Sequence, residues 1–507
     1  MYWGYLFDHI EHEVSAMKHP EVQRWARVFG HMATLSFALL MLPVARDSLW
    51  TSAFGMSFER AIKYHRWLGS AAYFWLTVHM LTWWAAWAKI GVFWNNIFTT
   101  HNLIISDKLN GHSWRHFDNF TMPFTHMAWI LLTLSVAVTL LLRRRSFDWF
   151  YSLHAYVGVV VLVTGVLHAW SNWYYTAGGL VLYYIDRTWR FMRRTHSTEA
   201  QVALLGNGSI TKLQVPARAL RTSLMKSGHF VAGQFAWLYI PGVSKLSWHP
   251  FTISSPPAMA ESDGVVTFHI KSMGPKTWTD ALTKHAAALL SGKAGPEGSL
   301  NASHAPLLAG AAADSLQPVY LPVTVDGPYG RPWDFTNRKV IALFAGGIGI
   351  TPMFSVLSEV LLRHAAAEGE PRTQAEHVHL VWSVREVPLL LEFAAMLFHL
   401  VDRTPVKTTF TFYCAALAAE AERTGGNAPA SLQGVQPALA AWVLQHTIPH
   451  RPSYGDIMRD MQGSSGGAAN ASEERLAMAC GPASLVDATS EAASAGQWTF
   501  HFEEFSW

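Results

Sequence analysis

The chain has 507 residues, enough for about three domains, and half of them are hydrophobic, with 23 Trp and 28 Phe. A formal charge of +3 is too small for a nucleic-acid-binding protein, so no nucleic-acid partner is expected. Two cysteines, Cys414 and Cys480, make no disulfide framework, which fits a reducing compartment for the half of the chain that holds them.

Residues 1–24 have no basic region ahead of an apolar core, so they read as an amphipathic segment and not as a cleavable signal. Five spanning candidates follow, at 25–45, 60–88, 123–142, 150–171 and 173–191. The last is the weakest, being short and carrying Asp186 and Arg187. Cationic groups mark one side of an alternating topology: Arg46, Lys63 and Arg66, then Arg143, Arg144 and Arg145, then Arg187, Arg190, Arg193 and Arg194. That side is expected to be cytosolic. The connection 89–122 is then a long external loop, poor in cations and holding His101, His112 and His116.

Two pairs of histidines lie inside these apolar segments, His65 with His79 and His154 with His168. The members of each pair are 14 residues apart, which on a helix puts both on one face about 21 Å from each other. Two parallel helices of this kind present one His–His pair near each membrane surface. Imidazole is a good iron ligand, and an iron with both axial positions filled by protein suits electron transfer. Gly69, Ala72 and Leu76 lie between the first two histidines, and Gly158, Val161 and Gly165 between the second two. Small residues on an interior face ordinarily let helices approach; here they also leave room for a flat macrocycle. Four ionisable groups at matched spacing in a bilayer are costly and point to function. The pattern predicts a two-haem wire.

Residues 200–335 read as short strands, ITKLQVPA, GQFAWLYIP, VVTFHIKS and YLPVTVDGPYG, with an Ala/Gly/Ser/Pro insertion at 286–317 expected to be mobile. From 338 the pattern becomes strand–turn–helix, with further strands in HVHLVWSVRE, FTFYCA and LAMACGP. Segments 417–441 and 463–474 read as low-complexity loops. AGGIGITP is the phosphate-loop candidate, since glycines between a strand and a helix let backbone N–H groups reach a pyrophosphate. Ser383 and Arg385 end the next strand, where the 2′-phosphate of NADP lies in such folds, although a plain surface arginine is equally compatible.

WHPFTISSPP, HIKSMGPKTWTDAL, VDGPYGRP, FAGGIGITP, WSVRE, ACGP and the terminal FHFEEFSW occur in the order found in ferric-chelate reductases and NADPH oxidases, as do LLMLPVARD, YHRWLG and the histidine pairs. The chain therefore resembles that superfamily over nearly its whole length, most of all the plant and algal ferric-chelate reductases. The resemblance implies an α-helical transmembrane bundle with two b-type haems (25–194), a ferredoxin-reductase-type FAD-binding β-barrel (195–336) and an α/β NADPH-binding domain (337–507). By the same resemblance His65 and His154 hold the inner haem and His79 and His168 the outer. His249, Pro250, Phe251, Thr252, Ser254, Ser255, Lys271 and Thr279 bind FAD, and Trp507 covers the flavin until nicotinamide displaces it. Gly346, Gly347, Gly349, Thr351 and Pro352 form the NADPH loop, with Ser383 and Arg385 at the 2′-phosphate and Cys480, Gly481 and Pro482 at the nicotinamide side.

The implied activity is that of a membrane-embedded NADPH-dependent metalloreductase, cytosolic in its dehydrogenase half and placed in the plasma membrane. It would pass electrons to an external ferric chelate; the oxidase reading would make superoxide by the same path. Trp83 stands where oxidases carry a histidine, whereas Arg27 stands where they carry an arginine near oxygen. His112, His116 and Asp107 are further acceptor-side candidates, as are His31 and His126 if they face outward. The family pattern has six helices, so a helix before the five is expected to be missing. A non-enzymatic haem subunit or a degenerate scaffold is the third reading, disfavoured by the intact flavin and nucleotide motifs.

Overall fold

In the computed structural model the described residues are 20–44, 58–91, 93–97, 115–143, 147–168, 171–193, 197–206, 208–220, 229–245, 247–292, 318–330, 333–364, 373–401, 404–424, 429–464 and 474–503. The chain divides into two compact units, Met1–Met192 and Arg193–Trp507. Expectations for 1–19, for His101, Asp107 and His112, and for Trp507 lie outside the described residues.

The first unit is helical: α1 (Pro20–Met41), α2 (Phe58–Ile90), the short α3 (Phe93–Ile97), α4 (Arg115–Leu142), α5 (Phe147–His168) and α6 (Ser171–Arg193). Among the described residues two stretches, Pro123–Leu142 and Trp149–His168, are long and apolar enough to cross a membrane by length and composition. The expected external loop 89–122 is shorter than predicted, because α3 lies within it and α4 already begins at Arg115; Pro123 is accommodated inside that helix. His116 therefore sits in the first turn of α4. The helices are joined by polar side chains, as in a medium without water to satisfy them. Trp129 Nε1 donates to Thr77 Oγ1 and Tyr73 Oη to Thr133 Oγ1, both at 3.1 Å, which ties α4 to α2.

The second unit holds two six-stranded sheets. The first comprises β1 (Thr198–Leu205), β2 (Ile210–Pro216), β3 (Phe235–Tyr239), β4 (His249–Thr252), β5 (Val265–Lys271) and β6 (Val319–Tyr329), in the order β4-β3-β6-β1-β2-β5. Neighbours are antiparallel. The Ser254 N–H donates to the Thr267 carbonyl at 2.9 Å, bringing the two ends of the sheet together. Its core is Val202, Leu213, Leu238, Phe268 and Val323. Strand β1 is absent from the sequence reading: TEAQVALL alternates weakly and carries Glu199 and Gln201, so no apolar run marks it. The expected mobile insertion begins too early, since Trp278–Leu290 is helix α8, capped by Thr277, which accepts from the Asp280 N–H. Helix α7 (Pro257–Asp263) lies between β4 and β5.

The second sheet comprises β7 (Val340–Gly346), β8 (His377–Ser383), β9 (Lys407–Tyr413), β10 (Thr447–Ile448), β11 (Arg475–Cys480) and β12 (Thr499–Glu503), in the order β10-β9-β8-β7-β11-β12. All its pairs are parallel. Apolar runs such as VIALFA in β7 belong to a strand covered on both faces. Helices α9 (Ile350–His364) and α10 (Val387–Val401) cover one face, and α13 (Tyr454–Ser464) and α14 (Ala483–Ala495) the other. The predicted low-complexity loop 417–441 is largely helical, as α11 (Ala415–Thr424) and α12 (Pro437–His446). Alanine-rich composition resembles low complexity, yet Ala is the best helix former. Likewise 463–464 end α13, and 474 is described.

Candidate functional site

In the helical unit, α2 and α5 run parallel and pair the four histidines at one constant offset. The ring centres of His65 and His154 are 6.1 Å apart, with ring planes at 84°, and those of His79 and His168 are 6.3 Å apart at 73°. An iron between two imidazoles fits this spacing: a metal–nitrogen bond of about 2 Å on each side, plus about 1.1 Å from ring nitrogen to ring centre, puts the centres about 6 Å apart.

Helix α1 supplies what the histidine spacing alone did not reveal. His79 Nδ1 lies 2.6 Å from the Ala26 carbonyl oxygen and His65 Nδ1 3.2 Å from that of Leu40. Ala26 and Leu40 are themselves 14 residues apart on an antiparallel helix, so one rail serves both rings. A proton on Nδ1, donated to a carbonyl, leaves Nε2 as the free lone pair for a metal. Gly30 completes the contact, because a Cβ there would stand 2.8 Å from His79 Cε1 and Nδ1. None of Ala26, Gly30 and Leu40 carries side-chain chemistry, so no motif signalled them. Among the predicted spacers, Ala72 and Val161 are buried, Gly69 has only Leu40 Cδ1 near it at 3.6 Å, and Gly158 faces open space.

Of the residues predicted for the acceptor side, Arg27 is half-buried, directly after Ala26. Trp83 packs on Trp87 with ring centres 6.0 Å apart. His126 does not sit as an isolated outward ligand: it stacks on Trp84 at 5.9 Å, and its Nε2 accepts the Trp84 Nε1–H at 3.0 Å. His31 is partly buried on α1.

In the second unit the order of the parallel sheet reverses between β7 and β11, and ligands of such sheets bind outside the carboxyl ends of the strands at that point. The loops there are the two predicted ones, Gly346–Gly349 and Cys480–Pro482. Their glycines differ in role. A Cβ on Gly349 would lie 2.2 Å from the Cys480 carbonyl oxygen and one on Gly346 2.6 Å from Pro482 Cδ, so these two let the loops touch. Gly347 has φ +56° and nothing within 4 Å of an added Cβ, leaving backbone open to a ligand. Its carbonyl accepts from Trp382 Nε1 at 3.0 Å. Thr351 and Pro352 lie in the first turn of α9, directly after this loop, and a helix N-terminus favours a phosphate. Ser383 pairs in register with Gly346, and exposed Arg385 follows it. Burial pushes the Cys480 thiol well above its ordinary value and the Glu503 carboxyl, its neighbour in register, up to about 7.

The predicted flavin residues lie on β4 and just after it, at the end of β5 and in the first turn of α8. His249 and Phe251 both stack on Trp278, with ring centres 4.4 and 5.5 Å away, and Trp278 Nε1 is buried without a hydrogen-bond partner among the described residues. Pro250 lies between them, and Thr252 is buried. Ser254 and Ser255 turn inward: Ser254 Oγ meets His269 Nδ1 at 2.8 Å and Ser255 Oγ accepts the Thr267 N–H at 3.0 Å. Thr279 Oγ1 accepts the Met273 N–H at 2.9 Å, and Lys271 Nζ lies 2.5 Å from Glu386 Oε1. Glu392 takes Lys212 Nζ at 2.7 Å and His269 Nε2 at 3.4 Å. Burial alone would raise the Glu392 carboxyl, but His269 and Lys212 more than offset it and hold it at about 2. Burial lowers the His269 pKa; its ring bridges Glu392 on the Nε2 side and Ser254 Oγ on the Nδ1 side, while the Ser254 hydroxyl donates to the Thr267 carbonyl at 2.7 Å.

Three family models match in this order: a ferric reductase-like transmembrane component over residues 29–165, an FAD-binding domain over 200–333 and a ferric reductase NAD-binding domain over 338–494. The chain belongs to the ferric reductase and NADPH oxidase superfamily. It is a membrane protein with FAD- and NAD-binding domains. Ferric reduction oxidase 4 of Arabidopsis thaliana is 26% identical over 339 residues, 66% of this chain and 40% of the relative. Ferric reduction oxidase 7, chloroplastic, of the same plant is 25% identical over 364 residues, 70% of this chain and 42% of the relative. Probable respiratory burst oxidase homolog protein I is 31% identical over 225 residues, 42% of this chain and 22% of the relative. The match thus spans about two fifths of the length of the ferric reduction oxidases.

Proposed function

We propose that this ferric reductase-family chain carries electrons from cytosolic NADPH, through FAD and two b-type haems, across the plasma membrane to a ferric chelate outside. The observation that carries the reading is the matched spacing of the two histidine pairs, 6.1 and 6.3 Å between ring centres. When bound, the flavin splits a hydride into single electrons and the haems relay them, chemistry that belongs to the cofactors. The chain itself binds, orients and insulates. His65 with His154, and His79 with His168, hold the haem irons, and the Leu40 and Ala26 carbonyls set the rings of His65 and His79. His249, Pro250, Phe251, Thr252, Lys271, Thr279 and Trp507 surround the flavin, while Ser254 and Ser255 brace that strand end. Gly347 and the α9 N-terminus take the NADPH pyrophosphate, Arg385 and Ser383 its 2′-phosphate, and Cys480, Gly481 and Pro482 the nicotinamide edge.

The division is 25–194 for the haem domain, 195–336 for the flavin domain and 337–507 for the nucleotide domain. The cationic loop ends put His65 and His154 nearer the cytosol. Superoxide production by the same path is the second reading, favoured by Arg27 beside the Ala26–His79 contact. Trp83 favours the metal, since an indole offers one donor in a bulky apolar wall. Membranes from expressing cells, given NADPH and ferric chelate, should reduce iron without oxygen and with superoxide dismutase present. Iron reduction that dismutase abolishes would make the protein an oxidase.

A further inference from the structure

Helix α5 ends at His168, so the carbonyls of its last turn, from Gly165 onward, have no partner inside the helix. In an apolar medium such a group must find one elsewhere. Asn172, in the first turn of α6, meets it: Asn172 Nδ2 donates to the Gly165 carbonyl at 2.5 Å. That contact fixes the amide, leaving Oδ1 as an acceptor, and the Thr34 hydroxyl of α1 donates to it. The other neighbour of that hydroxyl is the Gly30 carbonyl, 3.1 Å away and one turn back on α1.

The network therefore joins three helices around one histidine pair. Gly30 lies under His79, and Gly165 is one turn before His168. The two rings are held differently. His79 has the Ala26 carbonyl to orient it, whereas His168 Nδ1 is buried with no hydrogen-bond partner among the described residues. With no hydrogen bond to Nδ1 among the described residues, the backbone of the last α5 turn sets where His168 points.

We infer that Asn172, oriented by Thr34, is a positioning residue for the His79/His168 pair, acting by capping the turn that carries His168. The inference rests on the reading of that pair as the ligands of the outer haem. Asn172→Leu keeps the volume and removes the donor, and Thr34→Val keeps the shape and removes the hydroxyl. Both are made in the full chain. The readouts are the low-spin electron paramagnetic resonance signal of each haem and the rate of haem loss to apomyoglobin. The outer signal is the one missing in His79→Leu.

Asn172→Leu should shift the outer signal, leave the inner one in place and speed outer-haem loss about fivefold, which is the about 1 kcal/mol of an ordinary hydrogen bond. Thr34→Val should move the same signal less, and the double variant should go no further than Asn172→Leu, as for members of one network. If Asn172→Leu does not accumulate, Thr34→Val carries the same test. An outer signal and loss rate unmoved in the variants, or both haems moved alike, overturns the inference while the two-haem reading stands. A wild-type protein without two haems overturns both.

Discussion

Gly30 of α1 lies against the ring of His79 so closely that an added Cβ would stand 2.8 Å from both Cε1 and Nδ1. The ring cannot retreat without leaving the Ala26 carbonyl 2.6 Å away. Gly30→Ala should therefore lose or weaken one haem, measured by pyridine haemochrome content, while the other remains. Gly69→Ala, with only Leu40 Cδ1 near it at 3.6 Å, serves as the tolerated control. Equal haem content in both variants would show that Gly30 is not needed for His79.

Gly158 gives the opposite test. Nothing in the protein lies within 4 Å of a Cβ built there, so Gly158→Ala should be neutral or slightly stabilising if the helix face is empty. A haem between α2 and α5 would occupy that space, one turn from His154. Haem content should fall in the purified variant while expression does not. Unchanged haem would put the macrocycle elsewhere.

Arg385 should decide the nucleotide. Its guanidinium stands exposed at the end of β8, beside Ser383, and matches a phosphate in charge and shape. Arg385→Ala should raise KM for NADPH about tenfold or more, a typical cost of losing a charge-assisted hydrogen bond. KM for NADH should hardly change. Equal effects on both would reassign Arg385 to a surface role.

Acid should expose the Glu392 network. This carboxyl falls from an ordinary 4.5 to about 2 in the folded state. Its contribution is therefore complete above 4.5 and is lost as pH falls from there toward 2. The Tm of the full protein should drop through this window, and Glu392→Gln should flatten that drop. A Gln variant with an unchanged slope would mean that other carboxylates drive acid unfolding.

What the sequence disclosed depended on the kind of interaction. The histidine pairs were legible because a ligand must be a particular side chain and a helix imposes a period on it. The ends of β7 and β11 were legible because Gly-rich turns punctuate apolar strands. AGGIGITP reads as one phosphate cradle, yet Gly346 and Gly349 serve loop-to-loop contact with Pro482 and Cys480, and of the three only Gly347 is open. Tertiary crowding and ligand access leave the same letter in the sequence. Backbone acceptors such as Ala26 and Leu40 left none, since any residue supplies a carbonyl. Helices α11 and α12 were missed because their alanines resemble low complexity.

The shared rail of α1 has a consequence for how the four-histidine face comes together. Because the Ala26 and Leu40 carbonyls repeat at the interval of His79 and His65, a single sliding coordinate aligns both. A one-residue slip of α1 along α2 would release both rings at once, whereas a residue inserted between Ala26 and Leu40 would release only one. The two histidine pairs are thus geared together like teeth on a rack, so that what sets the register of one sets that of the other.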